Sequence, residues 1–161
     1  MITAQELARA FRVNSDLANT QCQGLAHADA LVQPPVPGNC MNWVLGHVAN
    51  SRNTVLAQLG APTFMSEAHC KRYGYGSEPI CADGDAILTL EQIMAMLEQS
   101  QAAIEKALTN VTEERLQKPV QSFLGSTSLA YLVFFLYRHE SYHLGQTEVL
   151  RELALARATR G

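Results

Sequence analysis

Apolar residues in this 161-residue chain recur at three- and four-residue steps in four long stretches. That spacing places them on one face of an α-helix, so the pattern predicts four long helices. The first and third stretches open in the form of a capping box, at Thr3-Ala4-Gln5-Glu6 and Thr89-Leu90-Glu91-Gln92. The predicted helices run from about Thr3 to Ala30, from Met41 to Leu59, from Thr89 to Val111, and from Ser126 or Thr127 to Ala158.

Three segments interrupt the helical pattern. Residues 32–39 contain three prolines and a glycine, which cannot continue a helix, and they leave Asn39 as a candidate N-cap. Residues 61–89 are rich in Gly, Pro, Ser and Asp, and a connection of this length indicates either a lid or binding loop, or an excursion that covers the end of the bundle. Residues 112–124 include Pro119 and form a connecting segment that can begin with a helical turn.

Almost no stretch of the chain alternates in the manner of a β-strand. The pattern therefore predicts one all-α domain over residues 1–161, a four-helix bundle with a long connection between its second and third helices. Periodicity alone does not fix the topology, and the long connection permits a non-adjacent helix order.

Composition narrows the classes of function. Twelve Lys+Arg stand against 15 Asp+Glu, for a net charge of −3, and no basic cluster is present, which argues against nucleic acid as a partner. Residues 1–6 lack the features of a signal peptide and no apolar run reaches transmembrane length, so we expect a cytoplasmic protein without membrane partners. Four scattered cysteines without a Cys-x-x-Cys pair indicate reduced thiols: Cys22, Cys40, Cys70 and Cys81.

The last predicted helix carries two histidines four residues apart, His139 and His143. Positions i and i+4 share a helix face, and the leucines around the pair place both imidazoles on the apolar side. Imidazoles turned toward a core must be hydrogen-bonded, lie in a cleft, or bind something. One metal ion could bind both imidazoles, and the alternative hypothesis is that the two histidines are hydrogen-bonded core residues.

A catalytic metal site usually has three protein ligands and an open position, so a third ligand is needed from another helix. His47 is the preferred candidate, because it borders the apolar arc of the second helix and shares its side with Trp43 and Ser51, which we expect to line a pocket. His27, near the end of the first predicted helix, is expected to be solvated. His69 and Cys70, in the irregular connection, remain reserve candidates.

Glu140 and Gln146 flank the histidine pair. The string His139-Glu140-x-x-His143 matches the helix motif of zinc proteases, but those enzymes take a third ligand from downstream and only 18 residues remain here. Glu140 lies at the edge of the inward face, where it either reaches metal-bound water as a base or meets solvent. Gln146 falls near the centre of that face, and support of a histidine ligand is one role open to it.

Two segments resemble the DinB-like family of metal-binding four-helix bundles. Residues 42–52, Asn-Trp-Val-Leu-Gly-His-Val-Ala-Asn-Ser-Arg, resemble its second-helix motif, and residues 139–146, His-Glu-Ser-Tyr-His-Leu-Gly-Gln, its last-helix motif. The resemblance implies a zinc or nickel site made by His47, His139 and His143, in a bundle that frequently forms homodimers. It also implies a thiol cosubstrate, since characterised relatives are transferases using bacillithiol or a similar low-molecular-weight thiol, or an isomerase using mycothiol.

Several functions follow as hypotheses. The leading one is an S-transferase in which a three-histidine metal activates a low-molecular-weight thiol against an electrophile. The alternatives are a metal-dependent hydrolase with Glu140 as base, a non-catalytic metal-binding dimer, and a metal-free bundle. The second helix is more apolar than one core contact requires, so we expect part of it to be buried between subunits, through Met41, Leu45, Val48, Leu56 and Leu59.

Overall fold

The computed structural model describes residues 3–159. Residues 1, 2, 160 and 161 belong to the predicted domain and lie outside the described residues. The first two also belong to the N-terminal stretch that we expect not to be a signal peptide. The long helices are α1 (Ala4–Cys22), α3 (Met41–Leu59), α5 (Leu90–Asn110) and α7 (Leu129–Ala158). The predicted all-α four-helix bundle is confirmed.

Shorter elements fill the connections between the long helices. They are α2 (His27–Ala30), α4 (Glu67–Arg72), α6 (Glu113–Gln117), and the strands β1 (Pro119–Ser122) and β2 (Gly125–Ser128), which pair as an antiparallel hairpin. Helix α6 corresponds to the helical turn expected at the start of the connecting segment 112–124. Within residues 3–159, no helix combines the length and the hydropathy needed to cross a bilayer.

Helices that follow one another in the chain are not all neighbours in the bundle. Both α1 and α3 pack against α5 and against α7. The helices α1 and α3 therefore lie on one diagonal of the bundle, and α5 and α7 on the other. This arrangement makes α3 and α7 adjacent, which brings the histidines of both helices to one interface.

The core consists of two apolar clusters with a polar layer between them. One cluster surrounds Leu45 and Ile93, and the other surrounds Phe11 and Val55. Between them, each long helix contributes side chains that are polar and no more than 4% exposed. These residues, called the polar layer below, are Asn14, Ser15, Arg52, Ser100, Gln101 and Glu140.

Two predicted helix boundaries are wrong. The first helix ends at Cys22 rather than near Ala30, because the chain turns at Gly24, whose φ of +77° is a left-handed conformation open to glycine, and resumes as the short α2. The last helix begins at Leu129 rather than near Ser126 or Thr127, because residues 125–128 pair with β1 before the side chain of Ser128 caps α7.

The predicted subunit interface on the second helix is also wrong for most of its residues. Met41, Leu45, Val48 and Leu56 are at most 1% exposed within the single chain. Their wide apolar arc is covered by α5, α7 and the 60–89 connection rather than by a partner. Leu59 is partly buried at the end of α3 and packs against the second core cluster.

The 60–89 connection is ordered along α3. Its Tyr73 is fully buried, and the phenol donates to Asn42 Oδ1 at 3.0 Å and accepts from the Leu88 amide at 2.9 Å. Farther along α3, Asn53 Oδ1 accepts from the Phe64 amide at 2.8 Å. Side chains of α3 therefore provide hydrogen bonds that hold the connection against the bundle.

All four cysteines are free thiols in the described chain: Cys22, Cys40, Cys70 and Cys81. Burial raises the pKa of the Cys22 thiol to about 11, and it also raises the pKa of Cys40. Both are therefore protonated core residues at neutral pH rather than nucleophiles.

Candidate metal centre

Three imidazoles meet where α3 crosses α7. The rings of His139 and His143 lie 4.5 Å apart between centroids, and His47 lies 5.2 Å from the first and 4.8 Å from the second. One ligand nitrogen from each ring falls within 4.8 Å of the other two. Each of the three histidines predicted from the sequence is therefore placed in one cluster.

The ring nitrogens that face away from the cluster have hydrogen-bond partners. His47 Nδ1 lies 2.7 Å from the Tyr73 carbonyl oxygen, and His143 Nδ1 lies 2.8 Å from Gln146 Oε1. An oxygen of either kind accepts only, so both imidazoles carry the proton on Nδ1 and present an unprotonated Nε2. His139 Nδ1 makes a longer contact, 3.5 Å, with Ser51 Oγ.

The inner nitrogens of His139 and His143 have a spacing that suits a metal ion. Nε2 of His139 lies 3.1 Å from Nε2 of His143. Two imidazole nitrogens bound to one tetrahedral zinc at about 2.0–2.1 Å lie roughly 3.3 Å apart, close to the spacing observed. The hydrogen-bonded alternative requires His139 to carry its proton on Nε2 and donate it to His143. The cluster could hold a metal ion, with three protein ligands and a fourth position free.

Burial favours the uncharged form of two of these imidazoles, those of His47 and His139. It lowers the pKa of His139 to about 4, with the nearby charges of His143, His47 and Arg138 acting in the same direction. Burial also lowers the pKa of His47, and the bond to Tyr73 opposes that shift. At neutral pH both rings are therefore in the neutral form that binds metals.

Aromatic contacts limit the motion of the ligand rings. Trp43 stacks on His47 with centroids 4.8 Å apart and an angle of 11° between planes, and its indole donates to Ser77 Oγ at 2.9 Å. Tyr142 meets His143 edge-on, with centroids 5.3 Å apart. Two of the three imidazoles thus pack against neighbouring rings.

The histidines open onto two cavities. The larger, of about 810 Å³, is lined by all three histidines together with Trp43 and Gln146. The smaller, of about 570 Å³, is lined by His47, His139 and Ser51. Trp43, Ser51 and Gln146 are thus all placed beside the cluster, although Gln146 is exposed rather than at the centre of an inward face.

Glu140 lies in a different environment from either one expected. It is fully buried in the polar layer, where its carboxylate accepts from Arg52 Nη2 at 2.6 Å and from Arg52 Nε at 2.9 Å. The expectation of a solvated side chain is wrong, and the carboxylate is held by Arg52 on the core side of α7. We therefore assign it no catalytic step.

The other candidate ligands lie elsewhere. In the described chain, the cluster that could hold a metal ion contains neither His69 nor Cys70. His27 is not freely solvated as expected, since its side chain is 20% exposed, its Nδ1 accepts from the Leu90 amide at 3.2 Å, and its Nε2 lies 3.2 Å from Asp83 Oδ1.

Sequence reasoning missed two residues that shape the site. Tyr73 orients His47 through its carbonyl oxygen, and Arg52 holds Glu140. The available signal for Tyr73 was Gly46, because a glycine inside a buried helix often marks a close approach. A Cβ at Gly46 would overlap the Tyr73 ring. The signal for Arg52 was a charged residue within an apolar helix, which needs a buried partner.

Fold and site together define a class, helical bundles that carry a three-histidine centre between adjacent helices. The chain belongs to the DinB superfamily, which it matches over residues 10–147. The resemblance of the two helix motifs to that family is thereby confirmed. A comparison with curated proteins gave no match.

Solved structures of low sequence identity share this fold. The conserved protein of a locus from Enterococcus faecalis has a TM-score of 0.74 at 14% identity, with 97% of this chain and 99% of that chain covered. A DinB-like protein from Bacillus cereus has a TM-score of 0.68 at 18% identity, covering 92% and 91%. A variant of the mycothiol-dependent maleylpyruvate isomerase has a TM-score of 0.65 at 16% identity, covering 89% and 62%.

Proposed function

We propose that this protein is a metal-dependent S-transferase, which joins a low-molecular-weight thiol to an electrophile. The observation that carries the proposal is the cluster of His47, His139 and His143, whose ligand nitrogens lie within 4.8 Å of one another beside an open cavity of about 810 Å³. A zinc or nickel ion, when bound, supplies Lewis acidity that lowers the pKa of a thiol at its open position. The mycothiol dependence of the isomerase with a similar fold agrees with thiol chemistry.

The residues of the chain have separable roles in this proposal. His47, His139 and His143 hold the ion, while Tyr73 and Gln146 fix the tautomers of two of them by accepting their Nδ1 protons. In the transfer, the sulfur lone pair forms the bond to the electrophilic carbon, the bond to the leaving group breaks with its electron pair, and the thiol proton passes to solvent. Protein nucleophiles take no part.

The lining of the cavities favours a thiol over water as the nucleophile. Hydrolysis by a metal site usually engages a carboxylate or histidine base near the attacking water. In the described chain, neither cavity is lined by Asp or Glu, and Glu140 is bound to Arg52 within the core. A thiol needs less help, because its pKa of about 8.5 lies near neutrality before any metal binds.

Metal analysis with matched variants tests the centre. We expect about one ion per chain in the native protein, as for a three-ligand catalytic site, and loss of most of it in His47→Ala, His139→Ala and His143→Ala. His69→Ala is the control, since it removes a histidine outside the cluster and should retain the metal. Equal metal content in all four variants would show that the cluster is not the site.

A thiol-consumption assay tests the reaction. The metal-loaded protein, with 2-mercaptoethanol and a panel of aryl halides, epoxides and conjugated carbonyl compounds, should consume thiol faster than the chelated protein. Ester hydrolysis that proceeds without thiol, or thiol loss that is equal after chelation, would contradict the S-transferase proposal.

Homodimerisation belongs to the proposal only through the family resemblance. The buried residues of α3 cannot provide the interface, because they are covered within one chain. Light scattering at micromolar concentration decides the point, and a mass of 17.6 kDa would mean a monomer.

A further inference from the structure

The metal centre lies between two cavities that differ in their walls. His47 and His139 line both, whereas His143 and Trp43 line only the larger one. Tyr75, which is 98% exposed, borders both cavities at their openings. A reaction between two substrates needs two binding surfaces next to one centre, and this arrangement provides them.

The smaller cavity has one aromatic wall and one neutral polar wall. Phe123, from the turn of the hairpin, and Phe135, from α7, meet edge-on with centroids 5.7 Å apart, and Leu136 extends the apolar surface. The polar wall comes from one side of α3, through Asn50, Ser51 and Thr54. Ring faces next to neutral hydrogen-bonding groups suit a planar ligand with a carbonyl or similar substituent.

Charge is missing from this lining. In the described chain, no Asp, Glu, Lys or Arg lines the smaller cavity. Arg138 lies over the Phe135 ring, 5.4 Å from its centroid, and is not among the lining residues. An ionised substituent held against the phenylalanine rings, away from the histidines, would lose hydration without gaining a charged partner from the lining, which is costly.

We propose that the smaller cavity is the electrophile site of the enzyme, and that it takes uncharged planar compounds, either aromatic rings or conjugated carbonyls. The inference rests on the proposed S-transferase function, for which it names the electrophile class. The larger cavity then receives the thiol, since all three histidines line it.

The chemistry balances for both kinds of electrophile. With an aryl halide, the sulfur lone pair forms the carbon–sulfur bond, the halide leaves with the electrons of its bond, and the thiol proton goes to solvent. With a conjugated carbonyl, the sulfur adds to the alkene carbon farther from the carbonyl, and the alkene electrons move toward the carbonyl. The thiol proton goes to solvent, and the carbon next to the carbonyl takes one proton from solvent in its place. Ser51 and Thr54 supply hydroxyl groups at the wall where the carbonyl would lie.

Binding of inert probes to the metal-loaded protein tests this site without turnover. Benzamide is a neutral planar probe, and benzamidinium is its cationic counterpart of nearly the same size and shape. In ligand-observed NMR titrations we expect benzamide to bind at least about 10-fold more tightly than benzamidinium, because the cavity lining offers the cation no carboxylate and the bound metal ion repels it. Equal or tighter binding of benzamidinium would overturn the proposal.

Two variants locate the bound probe. Phe123→Ala should weaken benzamide binding by about 3-fold or more, because one ring wall is lost. Phe64→Ala, the same change at an aromatic residue that lines neither cavity, should leave the dissociation constant unchanged. Equal effects of the two substitutions would also overturn the proposal.

The single tryptophan gives an independent reading of which cavity is filled. Trp43 lines only the larger cavity, so benzamide should leave its emission unchanged, and saturating 2-mercaptoethanol should leave the benzamide dissociation constant unchanged. A change in Trp43 emission on adding benzamide, or competition between the probes, would place benzamide in the larger cavity and refute the assignment. Failure of metal binding in the histidine variants is measured separately, so a failed centre and a failed electrophile site are distinguishable.

Discussion

Replacing Arg52 should lower the free energy of unfolding substantially, because its guanidinium connects α3 to the other three long helices. It forms two bonds to Glu140 of α7, at 2.6 and 2.9 Å. It also donates to the Leu97 carbonyl of α5 at 2.9 Å and to the Phe11 carbonyl of α1 at 3.3 Å. The Arg52 and Glu140 side chains are each 1% exposed.

The magnitude follows from what each substitution leaves behind. Arg52→Met removes the cation and leaves the Glu140 carboxylate buried without its partner, which should cost about 3–5 kcal/mol of unfolding free energy. Glu140→Met leaves the Arg52 guanidinium buried without its carboxylate partner and should lower the free energy of unfolding by a similar amount. The double variant leaves no uncompensated charge, so it should be less destabilised than either single variant.

The assay is urea unfolding of the metal-free protein, followed by far-ultraviolet circular dichroism, so that metal binding does not contribute to the measured stability. Arg12 and Glu105 provide the matched control, since they also form a two-bond pair between helices, at 3.0 and 3.1 Å, but with side chains 36% and 38% exposed. Arg12→Met should cost less than about 1 kcal/mol. Additive losses in the Arg52 and Glu140 double variant would refute the reasoning.

Two further predictions concern the supports of the metal centre. Gly46→Ala should lower the free energy of unfolding by about 1–3 kcal/mol, because the new Cβ would overlap the ring of Tyr73. Gly145→Ala, at an open position of α7, should raise it by about 0.5–1 kcal/mol. Thermal melts of the metal-free variants measure both effects, and changes of the same sign would contradict the prediction. Gln146→Leu should weaken metal binding by about 10- to 100-fold, because His143 Nδ1 loses its hydrogen-bond acceptor. Gln146→Glu keeps an acceptor and should bind the metal as tightly as the native protein. Competition against a chelator measures both affinities, and equal affinities of the two variants would exclude a role for the acceptor.

Local sequence signals predict the helices that have clear ends. The predicted and observed bounds of α3 agree, Met41 to Leu59, and the end follows from Gly60, which stops the helix in a left-handed conformation. The predicted N-cap of this helix, Asn39, is wrong, because the N-cap is Cys40 and no side chain caps the helix. The start of α5 follows from the capping box at Thr89. The hairpin was missed because two four-residue strands are stabilised by pairing with each other, and neither has a strong pattern of its own.

The candidate site was predictable in its residues but not in their surroundings. The spacing of His139 and His143, together with a motif around His47, indicated which side chains to consider. The tautomer of His47, in contrast, is set by a backbone carbonyl 26 residues away, and every residue type has a carbonyl. The prediction that a partner subunit buries part of α3 was wrong for a related reason. Periodicity shows how wide the apolar face of a helix is, but not which element covers it.

The polar layer also explains how the two histidine-bearing helices keep their alignment. His47 contacts His143, and Ser51, one turn further along α3, contacts His139, one turn earlier along α7, so the helices run antiparallel. Arg52 and Glu140 are the next residues after Ser51 and His139, and they meet on the core side of the same interface. A slip of one helical turn, about 5.4 Å, would move His47 away from at least one of the other two imidazoles and would also leave both buried charges unpaired. The ion pair therefore opposes a displacement that would break up the histidine cluster, which gives Glu140 a structural role next to His139.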